Sequence, residues 1–238
     1  MHLRLRFSSA PLVIVLLAVN SVVIVVAFMQ GGSAIFKEEA SWVTWYSAAQ
    51  LIATGAISGL HYVSRARRSG NARGDHLLWL MVSAGFLFLA VDELFEIHER
   101  MDYGLHAMLN MPATGITDRI DDLIVGAYGI AGMMVLYLFR SELKRYADLL
   151  PWLVLALLGF AASVVMDAMS NGDEIIRYLF GSGKRASVLY RLVNVGDEFA
   201  KLLTEGLLLA LVTQCLYIER KRWMEQARGV GLEDRSPG

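Results

Sequence analysis

The whole chain holds one cysteine, Cys215. An intramolecular disulfide and any cysteine-based metal motif are therefore excluded, and the residue, set in an apolar run, reads as packing. Charge is scarce too. Lys, Arg, Asp and Glu make up 19% of the residues, against roughly 25% in a soluble domain. Their formal sum is −1, which excludes a nucleic-acid binder working by bulk electrostatics. No separate soluble domain, low-complexity tract or linker is visible, and zinc-hydrolase patterns of the His-Glu-x-x-His type are absent. What remains is 55% hydrophobic, the composition of a polytopic membrane protein.

The apolar residues gather in runs near 10–29, 42–63, 77–97, 123–139, 149–169 and 199–217, each approaching the ~20 residues that cross a ~30 Å hydrocarbon core. The expected fold is all-α: a bundle of six transmembrane helices over 1–223, then a short polar tail, 224–238. Arg4 and Arg6 precede the first run, which is too long for a signal-peptide core and reads as a retained anchor. Arg65, Arg67, Arg68 and Arg73, then Arg140, Lys144 and Arg145, then Arg220, Lys221 and Arg222 fall on the same side as that N-terminus. Positive residues stay inside, so both termini are expected in the cytoplasm, with a bacterial inner membrane as the setting. The last outer loop, 171–196, conflicts with this, since it holds Arg177, Lys184, Arg185 and Arg191. The other loops outvote it.

Acidic residues collect at the opposite end of these runs: Asp92, Glu93, Glu96 and Glu99; Asp118, Asp121 and Asp122; Asp167; Asp197, Glu198 and Glu205. An ionisable group at the centre of a membrane helix costs at least ~2.5 kcal/mol and marks a functional hypothesis by default. At 3.6 residues per turn Asp92, Glu96 and Glu99 share one stripe, with Glu93 on its shoulder and His98 on another face. Asp118, Asp121 and Asp122 open the fourth run; capping and the helix dipole compete with function at Asp118, whereas Asp121 and Asp122, opening the helix that follows the acidic stripe, read as functional. Asp167, Asn171 and Glu174 recur along one face at the end of the fifth. Lys201 is spaced to neutralise Asp197, Glu198 or Glu205, so a structural ion pair competes with function there.

Oxygen donors from four helices, with one imidazole, suit a divalent cation: Mg²⁺, Mn²⁺ or Ca²⁺ ahead of Zn²⁺ or Fe. Asp92, Glu96, Asp122 and Asp167 are the candidate ligands; Glu93, His98 and Glu198 are the candidates for proton transfer. Glu99, Asp121, Asp197, Lys201 and Glu205 would line an ion path. A di-iron site is excluded because Phe95, not Glu, stands three residues before His98. His61 and His76 lie at the basic side, out of reach, whereas His106 lies in the outer loop. Arg177, Lys184, Arg185 and Arg191 alternate with apolar residues and are candidate phosphate contacts, with ordinary anchoring to anionic lipid as the competing reading.

Between Leu87 and Leu138, Asp92, Glu93 and Glu96 are followed by Arg119 and Asp122, then Gly126, Gly129 and Gly132. This stretch resembles the VanZ-like family of bacterial membrane proteins. Glu96 stands where that family has Gln, the loop is longer, and His98-Glu99 falls outside its pattern. The resemblance implies a cell-envelope role without naming a reaction.

Three functions fit. The first is a metal-dependent enzyme acting at the outer leaflet on a lipid or lipid-linked envelope substrate. The second is a proton- or cation-coupled transporter or ion-conducting protein, and the third a structural membrane protein ordered by its polar cluster. A transporter needs polar groups through the full membrane depth. The cytoplasmic halves of the runs read as apolar apart from Asn20, Ser21 and Gln50, so a one-sided site is expected.

Overall fold

The computed structural model describes residues 10–37, 41–70, 74–110, 120–170, 174–181 and 183–233. Arg4, Arg6, Arg73, Asp118, Arg119 and Asn171 lie outside them. The described chain is helical throughout, without strands: α1 Ala10–Gly31, α2 Trp42–Ser69, α3 Leu77–Phe95, α4 Ile97–Leu109, α5 Ile120–Leu138, α6 Arg140–Leu143, α7 Leu150–Ser170, α8 Glu174–Phe180 and α9 Lys184–Glu233. Short 3₁₀ segments, Gly32–Lys37 and Lys144–Leu149, follow α1 and α6.

Five segments are long and apolar enough to cross a membrane: those of α1, α3, α5, α6–α7 and α9. Large apolar side chains such as Ile14, Val22, Met29, Leu123, Ile130, Met134 and Leu158 point outward, where only lipid can cover them without cost. The helix α2 is different. Its 28 residues would reach about 42 Å at 1.5 Å per residue, yet it buries Ser47, Gln50, Thr54, Ser58 and His61. It carries a buried polar stripe and is shielded by its neighbours, packing against α3 on one side and α9 on another.

Close approach explains the α2–α3 pair. Gly55 and Gly59 form a small-xxx-small face, which lets helix backbones meet without a hydrophobic driving force. A Cβ on Gly55 would stand 2.9 Å from Leu87 Cγ and 3.2 Å from the Ser83 carbonyl oxygen, and one on Gly59 3.1 Å from Ser83 Oγ.

The central element is α9, which packs on α1, α2 and α7. It is 50 residues long, where the sequence predicted a loop to Gly196 and a span over 199–217. Nothing in 184–196 breaks it: the stretch lacks proline, and Gly196 sits mid-helix against Met166 Sδ. Arg177 therefore lies on α8, and Lys184, Arg185 and Arg191 on the first turns of α9.

The third run also departs from expectation. It ends at Phe95, and Glu96 takes the left-handed conformation (φ 51°, ψ 47°) that turns the chain into α4. A non-glycine residue there is strained, and the local bonds show what holds it. The Asp92 carboxylate accepts the His98 backbone N–H (2.9 Å) and meets His98 Nδ1 at 2.8 Å. Asp92 thus satisfies an otherwise orphan donor at the start of α4. The predicted Asp92–Glu96–Glu99 stripe is broken at this corner, and His98 faces Asp92 instead of another side.

Candidate functional site

Helix pairing brings most of the acidic residues to one end of the bundle. The strongest cluster forms where α3, α9 and α2 meet. Lys201 Nζ donates to Glu93 Oε1 (3.0 Å) and to Glu198 Oε1 (3.2 Å). One turn deeper, Glu205 Oε1 accepts from Ser47 Oγ at 2.7 Å. Its second oxygen, Oε2, is buried without a hydrogen-bond partner among the described residues. Asp197, also buried, accepts from Ser163 Oγ of α7. The ammonium of Lys201 interacts electrostatically with Glu198, Glu93, Glu205 and Asp197. Among the described residues, one ammonium thus stands among four carboxyl groups inside the helix bundle.

A second polar layer lies against this one. Asn20 of α1 accepts from the Tyr46 hydroxyl and donates to the Leu202 carbonyl and to Gln50 Oε1. Gly206 makes this possible, since a Cβ there would stand 2.5 Å from Asn20 Nδ2. Gln50 Nε2 is buried with no partner among the described residues.

The remaining predicted residues are more scattered. His98 and Asp92 build the α3–α4 corner, with Glu96 at the turn and Glu99 in the first turn of α4. Burial disfavours a charged His98, but the hydrogen bond and charge of Asp92, with Glu99 and Asp121, outweigh it and raise its pKa. Asp102 and His106 pair within α4 at 3.0 Å. Asp121, in the first turn of α5, accepts the Asp122 backbone N–H at 2.8 Å. It also lies within electrostatic range of Asp167, Asp102 and His98. Arg177, Lys184, Arg185, Arg191 and Asp167 are exposed.

The four candidate metal ligands, Asp92, Glu96, Asp122 and Asp167, are not gathered. Among the described residues no three His, Cys, Asp or Glu side chains sit close enough to share a metal ion. Asp92 has both oxygens engaged by His98, and the helix break turns Glu96 away from the line of α3. As placed, these side chains do not fit a bound divalent cation.

The opposite end of the bundle holds a network that sequence reasoning missed. Arg65 of α2 bridges Glu142 (3.3 Å) and Glu219 (3.1 Å), with Arg68 3.5 Å from Glu219. Trp79 Nε1 donates to Glu142 Oε1 at 3.1 Å. His61 stacks on Trp79 with ring centroids 3.9 Å apart. Its Nε2 lies 3.1 Å from the Tyr146 hydroxyl, which also reaches Glu219 Oε2 at 3.5 Å. Glu142 and Glu219 were hidden among the lysines and arginines used to assign orientation. The α2 stripe was legible as polar residues at i, i+3, i+7, i+11 and i+14 from Ser47, and it corrects the expectation that these helix halves are apolar.

No curated protein and no solved structure matches the chain. In the stretch compared with VanZ-like proteins, residues 87–138, the loop 111–119 lies outside the described residues. One family model does match, over residues 8–215, and takes in every long helix from α1 to the middle of α9. The chain belongs to the family described as a domain of unknown function, DUF8692.

Proposed function

We propose that this protein is a proton-coupled transporter or proton-conducting protein whose binding site is the Glu93–Glu198–Lys201–Glu205 cluster. One observation carries the reading: a single ammonium faces four carboxylates, and the innermost, Glu205, keeps a buried oxygen unpaired. Charges taken out of water must be compensated, and the surplus here is compensated by binding protons or a loosely held cation. Coupled carboxylates of this kind take up protons as a group. The six long helices then make six crossings, with α2 crossing inside the shelter of α3 and α9, and both termini on the side of Arg65, Arg140 and Arg220. That side is the cytoplasm by the positive-inside rule, and the envelope role implied by the VanZ resemblance agrees with a bacterial plasma membrane. The divalent-cation enzyme loses ground because its proposed ligands are dispersed.

The test is proton flux into liposomes that hold the purified protein and a trapped pH dye, driven by a potassium diffusion potential. Wild-type protein acidifies the lumen faster than empty liposomes, and Glu205→Gln does not. Wild-type flux equal to that of empty liposomes would refute the proposal. Binding of Mn²⁺ to the wild type and its loss in Asp92→Ala would return the metalloenzyme to first place.

A further inference from the structure

We infer that the Glu205 cluster is joined to a second proton-exchange site, His61–Tyr146–Glu219, by a buried polar file along α2. The inference rests on the proposed function and names its cargo and its route. Ser47, Gln50, Thr54, Ser58 and His61 are all buried, three of them at 0% exposure, and they fall on one stripe of one helix. Ser47 touches Glu205 at one end, and His61 touches Tyr146 at the other. Steps of four, four and three residues from Gln50 to His61 rise about 6, 6 and 4.5 Å. One bridging water with two hydrogen bonds of ~2.8 Å spans a gap of that size.

Three buried polar atoms without a hydrogen-bond partner among the described residues fall along this route: Glu205 Oε2, Gln50 Nε2 and His61 Nδ1. Thr54 and Ser58 donate their hydroxyl protons to the carbonyls of Gln50 and Thr54 (2.8 Å each). Each oxygen keeps lone pairs free to accept from a passing water or hydronium.

At the far end the chemistry is a hydroxyl relay. A proton arriving at His61 Nδ1 makes an imidazolium. Its Nε2 proton passes to the Tyr146 oxygen as the phenolic proton moves to Glu219 Oε2. The imidazole is left neutral, the phenol is regenerated and Glu219 becomes a neutral acid, which releases the proton to water at the basic rim. The groups facing this relay are Arg65 and Arg68 of α2, Trp79 of α3, Glu142 of α6, Arg145 of the 3₁₀ segment after it, and Cys215, Glu219 and Arg222 of α9.

The same liposome assay tests this with Tyr146→Phe, which removes only the hydroxyl, and with Ser58→Ala and His61→Gln. Thermal unfolding in detergent checks that each variant is folded. The expected result is loss of flux by about a hundredfold or more in Tyr146→Phe and His61→Gln, the size of effect a positioned proton-transfer group supplies. Flux at the wild-type rate in folded Tyr146→Phe and Ser58→Ala, with Glu205→Gln inactive, overturns the route and leaves the proposed function standing. A wild type without flux overturns both.

Discussion

Replacing Lys201 with Met removes the cation between Glu93 and Glu198 while keeping most of the side chain's volume. The three side chains are 30%, 19% and 14% exposed, respectively. They are sheltered enough for the pairing to matter, and breaking a buried pair typically costs about 3–5 kcal/mol. A second estimate comes from the escape route, which is to bind a proton. Protonating one carboxyl of ordinary acidity, near 4.3, at pH 7 costs ~2.7 units at ~1.36 kcal/mol each, or ~3.7 kcal/mol. The two figures agree, so a loss of about 3–4 kcal/mol is expected. For a chain of this size, 1 kcal/mol moves the melting temperature by about 2–4 °C, so the drop is about 6–16 °C.

The pH dependence supplies the sharper test. In the variant the folded state binds a proton that the unfolded state lacks at neutral pH, so stability falls as pH rises, by ~1.4 kcal/mol per unit. At pH 5 the penalty shrinks to about 1 kcal/mol. Tryptophan fluorescence during thermal unfolding in detergent, at pH 5 to 8, reads this directly. Adding Glu93→Gln and Glu198→Gln to Lys201→Met recovers most of the loss at pH 7. A deficit that is constant with pH, or that the glutamine pair does not recover, would refute the electrostatic account and leave lost packing of the lysine stem.

Gly206→Ala gains up to ~1 kcal/mol of helix propensity but drives Asn20 off Leu202 and Gln50, a loss of about 1–3 kcal/mol. The melting temperature is expected to fall; at Gly132, where a Cβ meets open space, the same change raises it. Arg65→Ala leaves Glu142 and Glu219, among the described cations, with Arg68 and Arg145 at 3.5–3.9 Å, and a loss of about 3 kcal/mol is expected, measured by thermal unfolding. His98 has its pKa raised in the folded protein by Asp92, Glu99 and Asp121 despite burial. Its stabilising contribution is complete below about pH 6.5 and disappears as pH rises through the folded value. His98→Gln should therefore flatten this part of the stability–pH curve, and an NMR titration should place the His98 midpoint above that of an unstructured histidine.

The helical bundle was legible because long apolar runs leave few alternatives. The shared acidic end was legible too, since antiparallel helices place alternate termini on one side. What failed was any inference needing a helix to stay straight or to stop. The Asp92–Glu96–Glu99 stripe assumed an unbroken helix, but Glu96 turns left-handed because Asp92 is placed to cap the next one. The loop assumed before Gly196 does not form, since Lys184 to Asn194 is good helix-forming sequence and one glycine does not end it. The α2 stripe escaped notice because Ser and Thr carry no charge, and the Arg65 network because Glu142 and Glu219 stand among cations.

Whether that stripe only glues helices together is decided by where its hydroxyls go. Polar side chains in membrane bundles commonly stabilise by hydrogen-bonding across helices, and Ser47 does so with Glu205. Thr54 and Ser58 do not. Both return their protons to carbonyls of α2 itself, four residues back, a bond that adds no interhelical contact and slightly weakens a helix. Alanine would pack in the same space and favour the helix by a few tenths of a kcal/mol. Their polarity is thus a small cost with no structural return, incurred twice, between a carboxylate with an unpaired oxygen and a histidine with an unpaired nitrogen. A route for protons makes use of each of these atoms, and a scaffold leaves them unused.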